Sequence, residues 1–251
     1  MAGDDIRPGN AATGAAADDA RIAFLCEPSM AAALPPPVPA GQLTPDWFRK
    51  LERSMGMPDA HGLPGLTVKA CLPVTDAFSL GWIIPLATDV RFVVDETGLG
   101  IQLGWPPAAP FAPVEQHHPG QVGYPNPPFD RRLPLKWINP WRLKVPDGYS
   151  VLFTHPLNHF ELPFQCFSGL VDCDRFAAAV NFPFVWTGGA ADVTLPRGTP
   201  LIQVIPIRRD TFPFDHEARA ARPAEKAEQE QATQRKYAEE SVYARQWRAR
   251  K

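Results

Sequence analysis

Thirty prolines in 251 residues constrain this chain more than any single motif in it. Proline fixes φ near −65° and has no N–H to donate, so it interrupts helices and the inner strands of sheets alike. Long helices therefore cannot thread the core, and the segments between prolines must be short. A hydrophobic share of 45% still supplies a full core, and a domain of this length hides about 70–75% of its unfolded surface. Short apolar segments with fixed corners predict a mostly β body.

The segments can be read off directly. LTVKACL, GWIIPL, DVRFVV and GIQLGW follow one another from Leu66, with Glu96, Thr97 and Gly98 as a hairpin corner. KWINPWRLKV, GYSVLFTH, QCFSGLVD, AAAVNFPFVW, ADVTL and PLIQVIPI come next, each bounded by Pro, Gly or Asp. This spacing predicts a β core over residues 66–214, a β-clip or a distorted barrel of short strands.

The flanks differ in composition. Residues 1–20 have little to bury and are expected to form a disordered tail. Over 21–65, RIAFLCE reads as a strand, ALPPPVPA as a polyproline II arm, and TPDWFRKLE as a short helix ending near Arg53. Thr44 is its expected cap, Pro45 its first residue and Asp46 a complement to its positive end. Over 215–251 a charged helix is expected from about Arg222 to Arg248. Its apolar stripe is thin, but Tyr243 and Trp247 share a face that suits packing on the body or on a partner subunit, hence a homo-oligomer through this helix.

A net charge of −2 and a pI of about 6.3 offer no broad basic field, which disfavours double-stranded nucleic acid as a partner. The start MAGDDIRPGN lacks an apolar h-region, and no stretch approaches about 18 uncharged apolar residues. A cytoplasmic protein without membrane contact is expected. Cys26, Cys71, Cys166 and Cys173 form no C-x-x-C and read as reduced packing residues.

Candidate chemistry gathers in a few places. Residues 106–134 carry nine prolines and the cluster EQHHPGQ, and a connection this long is expected to act as a lid. His118, His155 and Asp172 offer nitrogen and oxygen ligands for a divalent metal, with His117, His159 and Asp174 as further donors. Their spacing matches no metal motif, and histidines hydrogen-bonded at loop edges are the plain alternative. Asp172 and Asp174 alternate with Cys173, so on a strand they share a face, where one carboxylate of a desolvated pair becomes a general base. Strand-end solvation is the competing reading.

Asn158, Asn181 and Gln203 are polar groups in apolar surroundings, suited to a small polar ligand or to satisfying buried backbone. Trp82, Trp137, Trp141, Tyr149, Phe153, Phe182, Phe184 and Trp186 form core, or line a mouth for a flat aromatic ligand. No serine nucleophile elbow, P-loop or G-x-G-x-x-G accompanies them.

Together these point to a small-ligand site lined by Trp82, His118, His155, Asn158, Asp172 and Asn181, which requires positions 118, 155 and 172 to meet in one hollow. Binding alone and metal-assisted catalysis both fit. In the catalytic version Asp172 and His155 are the acting residues, with His118 as a ligand or proton shuttle and Asn158 orienting the substrate. The alternative is a structural or subunit-interaction protein that uses the β core as a scaffold.

GLVDCD at 169–174, the turn at Gly198 and PLIQV at 200–204 resemble the last third of the dUTPase and dCTP deaminase β-clip, with its G-V-I-D-x-D strand entry and later G-x-x-I-A-Q strand. VPDGYSVLF is similar to that family's P-x-G-x segment, and the likeness spans roughly residues 66–207. It implies a β-clip and a water-activating role for Asp172. It departs at THPLNHF (154–160), which lacks the serine and arginine of the phosphate motif, and at Arg175, where the family has tyrosine against deoxyribose. A charged helix also replaces its glycine-rich arm, so nucleotide hydrolysis is the weakest reading. DWF, CLPVTDAFSLGWIIPL, HHPGQ, NPW, HPLN, GLVDCD and NFPFVW, in this order, resemble a bacterial and phage family of unknown function numbered 6065. That likeness implies no reaction.

Overall fold

The computed structural model describes residues 21–58, 64–211, 216–238 and 243–249. The expected tail at 1–20 lies outside the described residues. Early elements are β1 (Ala23–Leu25), β2 (Val38–Pro39), α1 (Asp46–Lys50), β3 (Ser54–Pro58), β4 (Pro64–Leu66) and α2 (Leu72–Phe78). Next come β5 (Trp82–Pro85), β6 (Val90–Val94), β7 (Ile101–Gly104), β8 (Val114–Gln116), β9 (Pro134–Trp137) and β10 (Arg142–Lys144). The chain continues through β11 (Tyr149–Thr154), β12 (Phe164–Cys166), β13 (Gly169–Val171), β14 (Phe182–Trp186), β15 (Ala191–Leu195), β16 (Pro200–Arg208) and α3 (Pro223–Ala238).

These elements form two compact units. One runs to Leu43 and resumes over Leu80–Arg209; the other takes Thr44–Ser79 and the chain from Asp210. The units thus cut across the division at 65/66 and 214/215 that composition suggests. No helix among the described residues is long and apolar enough to cross a membrane.

The first unit is mostly β. Its largest sheet has the order β13-β11-β16-β5-β2, beside sheets β12-β14-β9-β8, β15-β6-β7 and β1-β10. Every pairing is antiparallel. Among the described residues no sheet closes on itself, so the barrel alternative gives way to a set of open sheets. The proline-rich arm does more than space: Val38 and Pro39 pair with Ile83 and Trp82 as an edge strand, where proline's missing N–H faces away from the ladder.

Alternation explains why these strands bury one face. In β6, Val90, Phe92 and Val94 point inward while Arg91 points out to Asp192 on β15. Phe92 stacks on Trp186 at 4.7 Å, and Trp137 stacks on Phe184 at 4.4 Å and meets Phe164 edge-on at 5.3 Å. The aromatics Trp137, Trp141, Phe153, Phe182, Phe184 and Trp186 are therefore core, not a ligand mouth. The hairpin at 95–98 forms as expected, with Thr97 N donating to Asp95 Oδ1 at 3.0 Å and Gly98 at φ +74°. All four cysteines are unbonded; Cys166 and Cys173 are buried, whereas Cys71 is exposed.

In the second unit LTVKACL is not a strand. Beyond Leu66 it forms a 3-10 turn over Val68–Ala70, opened by Thr67 accepting from Lys69 N, and then enters α2, with Pro73 in the first turn. Trp47 and Phe48 dock α1 as expected, Phe48 lying 4.6 Å from Phe78. The helix cap is Pro45, which makes no side-chain hydrogen bond, rather than Thr44. Of the expected C-terminal helix, the described residues show α3 and a wide helical turn at Tyr243–Trp247, where Tyr243 and Trp247 are exposed. Arg248 donates to both oxygens of Asp76 on α2, at 3.2 and 2.6 Å.

Candidate functional site

β11 cannot run past His155, because Pro156 follows and ends its ladder. The chain then turns through Asn158, which sits at φ +61°, the left-handed region that Asn tolerates better than any bulky residue. His159 N donates to Pro156 O at 3.2 Å and closes the turn. Gln203, 1% exposed on β16, holds this loop from inside: its Oε1 accepts from Leu157 N at 2.8 Å and its Nε2 donates to Leu80 O at 2.6 Å. The residue that the sequence marks for recognition or for backbone satisfaction does the second.

The loop borders a cleft of about 300 Å³, lined by His155, Asn158, Phe160, Gln165 and Thr187 over walls of Pro156, His159, Leu162 and Phe164. Thr187 and Gly188 close one side, both backbone N–H groups donating to Pro163 O. A Cβ on Gly188 would stand 2.8 Å from Pro163 Cβ, so this wall needs a glycine. Among the described residues the lining contains no Lys, Arg, Asp or Glu.

Both imidazoles are neutral at pH 7. Burial pushes the His155 ring below its usual pKa, only partly opposed by its hydrogen bond to the His159 carbonyl. That bond runs from Nε2 at 3.5 Å, and because a carbonyl only accepts, the proton belongs on Nε2. Among the described residues Nδ1 is buried without a partner. Burial likewise lowers His159, against the pull of Glu161, whose Oε1 lies 2.8 Å from Nδ1. With His159 neutral this contact is a hydrogen bond rather than an ion pair.

Asp172 and Asp174 lie at the other end of β11. Asp174, its side chain 3% exposed, accepts from Gly148 N at 3.0 Å and from both terminal nitrogens of Arg209. The Arg209 hydrogen bonds hold its pKa down to about 2. Asp172 is 57% exposed and accepts from Ser150 Oγ at 2.6 Å, with Arg209 Nη1 3.5 Å away. The two acids therefore share an arginine instead of desolvating each other. Ser150 and His155 are five positions apart on an extended chain, about 16 Å at roughly 3.3 Å per residue. Asp172 and His155 do not form one catalytic pair.

The remaining sequence candidates are also dispersed. His118 is exposed, and its Nδ1 accepts from Gly120 N at 3.1 Å to cap the turn at Pro119–Val122. Asn181 Oδ1 accepts from Asn139 N, a backbone role. Trp82 lies in β5 with Phe24 edge-on at 6.2 Å. The 106–134 connection contributes β8 to a sheet and no residue to the cleft lining, so it is not its lid. Among the described residues no three His, Cys, Asp or Glu side chains are placed to share a metal ion, which removes His118, His155 and Asp172 as a ligand set.

Of six expected lining residues, then, His155 and Asn158 meet. Phe160 follows them in the same loop, and Gln165 and Thr187 join without a sequence signal, since the pairing of β12 with β14 brings their segments together. The fold and site define a mostly β protein with an uncharged cleft at a strand end. No family model matches the chain, and no curated protein does. The likenesses to the β-clip enzymes and to family 6065 rest on the quoted motifs.

Proposed function

We propose that this is a small-ligand-binding protein and that its site is the cleft at the end of β11, with His155 and Asn158 as polar contacts. The observation that carries this reading is Asn158, the one non-glycine residue at positive φ among those described, set in the cleft wall beside His155. Residues held in such backbone regions cluster at ligand sites, where surrounding structure over-determines them. Here Gln203 supplies that support from the buried side. The cleft volume lies at the small end of ligand sites, enough for one ring and its substituents.

Metal assistance is not part of this reading, because the lining holds no carboxylate or thiol among the described residues. We further read the first unit's core as a β-clip. Support comes from adjacency: β13, β11 and β16, which carry the three segments of that resemblance, are neighbours in one sheet.

Amide-resolved NMR with a library of uncharged ring fragments tests the site. Shifts are expected at His155, Asn158 and Thr187, and weakened by Asn158→Gly, which keeps the left-handed turn but removes the carboxamide. Fragment shifts confined to other parts of the chain would refute the assignment.

A further inference from the structure

We infer that the cleft selects a neutral aromatic carboxamide. This rests on the cleft being the ligand site, and three features of its lining narrow the class.

The first is charge. With no Lys, Arg, Asp or Glu among the described residues of the lining, an ionised ligand would lose hydration with no opposite charge to replace it. The histidines do not supply one: the His155 ring has a single acceptor, the His159 carbonyl, whereas an imidazolium needs two. Glu161 is the carboxylate bonded to His159, and it is absent from the lining.

The second is the Asn158 carboxamide, which makes no hydrogen bond within the described residues. It presents an acceptor and a donor side by side in one plane. The group that satisfies both at once is another carboxamide, through two parallel N–H···O bonds. A carboxylate brings acceptors only and sets one oxygen against Asn158 Oδ1. Gln165 adds a compatible acceptor, since its Nε2 donates to Cys166 O at 3.3 Å and its Oε1 has no donor among the described residues.

The third is shape. Phe160 stands 79% exposed at the cleft rim, and Phe164 forms the inner wall with its ring edge-on to His155 at 5.8 Å. A flat ring can cover Phe160 while its amide edge reaches Asn158, and aromatic pairs favour such offset contact.

The probe is benzamide, titrated into the labelled full chain, beside acetophenone, which keeps the ring and carbonyl but lacks the N–H, and benzoate, which carries charge. Benzamide is expected to bind roughly three- to tenfold tighter than acetophenone, the ratio for one neutral hydrogen bond. Benzoate is expected to bind more weakly than either. Asn158→Gly should erase the preference for benzamide, and Phe160→Ala should weaken all three. Equal binding of benzamide and acetophenone, or an undiminished preference in Asn158→Gly, overturns the carboxamide assignment. If benzamide fails while other uncharged rings shift His155 and Asn158, the ligand class falls and the site stands. If no ring shifts those residues, both fall.

Discussion

At Asp174 two guanidinium nitrogens of Arg209 and the Gly148 amide converge on one nearly sealed carboxylate. The pair ties the end of β16 to the turn after β13. Its pKa is held to about 2 in the folded chain against 3.8 ordinarily, so it stabilises the fold fully above the ordinary value and less as pH falls toward 2. Asp174→Asn is therefore expected to be less stable than the native chain at pH 7, with the gap narrowing between about pH 4 and pH 2. Urea denaturation across that range measures it; a gap that stays constant as pH falls would contradict the ion-pair explanation.

Among elements, the loop from His155 to Phe160 depends on a side chain far away in sequence. Gln203→Leu leaves the part-buried Leu157 N–H and Leu80 C=O without these bonds, and a polar group left unpaired out of water costs up to about 1–3 kcal/mol. Hydrogen exchange is the discriminating readout: Leu157 should lose protection well beyond the global loss, whereas Val204→Ala, a core truncation one residue on, should lower protection evenly. If both variants loosen Leu157 alike, Gln203 is not what positions the loop. The same scale shows what sequence can reveal. DVRFVV and PLIQVIPI are legible as strands because β-branched residues run between sharp breakers. LTVKACL is not, since a short apolar run fits strand and helix alike; Thr67 as a cap and Pro73 in a first turn were the deciding signs. His155 and Asn158 are legible as neighbours because Pro156 and Pro163 crowd them into one turn. The place of Asp172 is not legible, because nothing local states which end of β11 the segment will meet; only the register Val151↔Val171 does.

For the whole molecule, the second unit joins segments from distant parts of the chain, and the Arg248–Asp76 pair is one visible tie between them. Asp76 is 11% exposed in its side chain, so Arg248→Ala removes a charged partner from a mostly buried carboxylate. Faster amide exchange is expected through α2, with strands of the first unit unchanged. Uniform acceleration in both units would show that the pair serves the entire chain. The unit boundaries were hidden from composition because chain breaks in proline content follow local geometry, whereas compactness follows long-range pairing.

That interleaving sets an order of synthesis. A ribosome delivers Thr44–Ser79 before most of the β unit and the stretch from Asp210 after it, so the β unit holds all of its strands while α1 and α2 still wait for Arg248 to emerge. A nascent chain halted at Arg209 would carry one finished body and one half-built one, with the apolar ring pair Phe48 and Phe78 made ahead of the arginine that reaches Asp76 on α2.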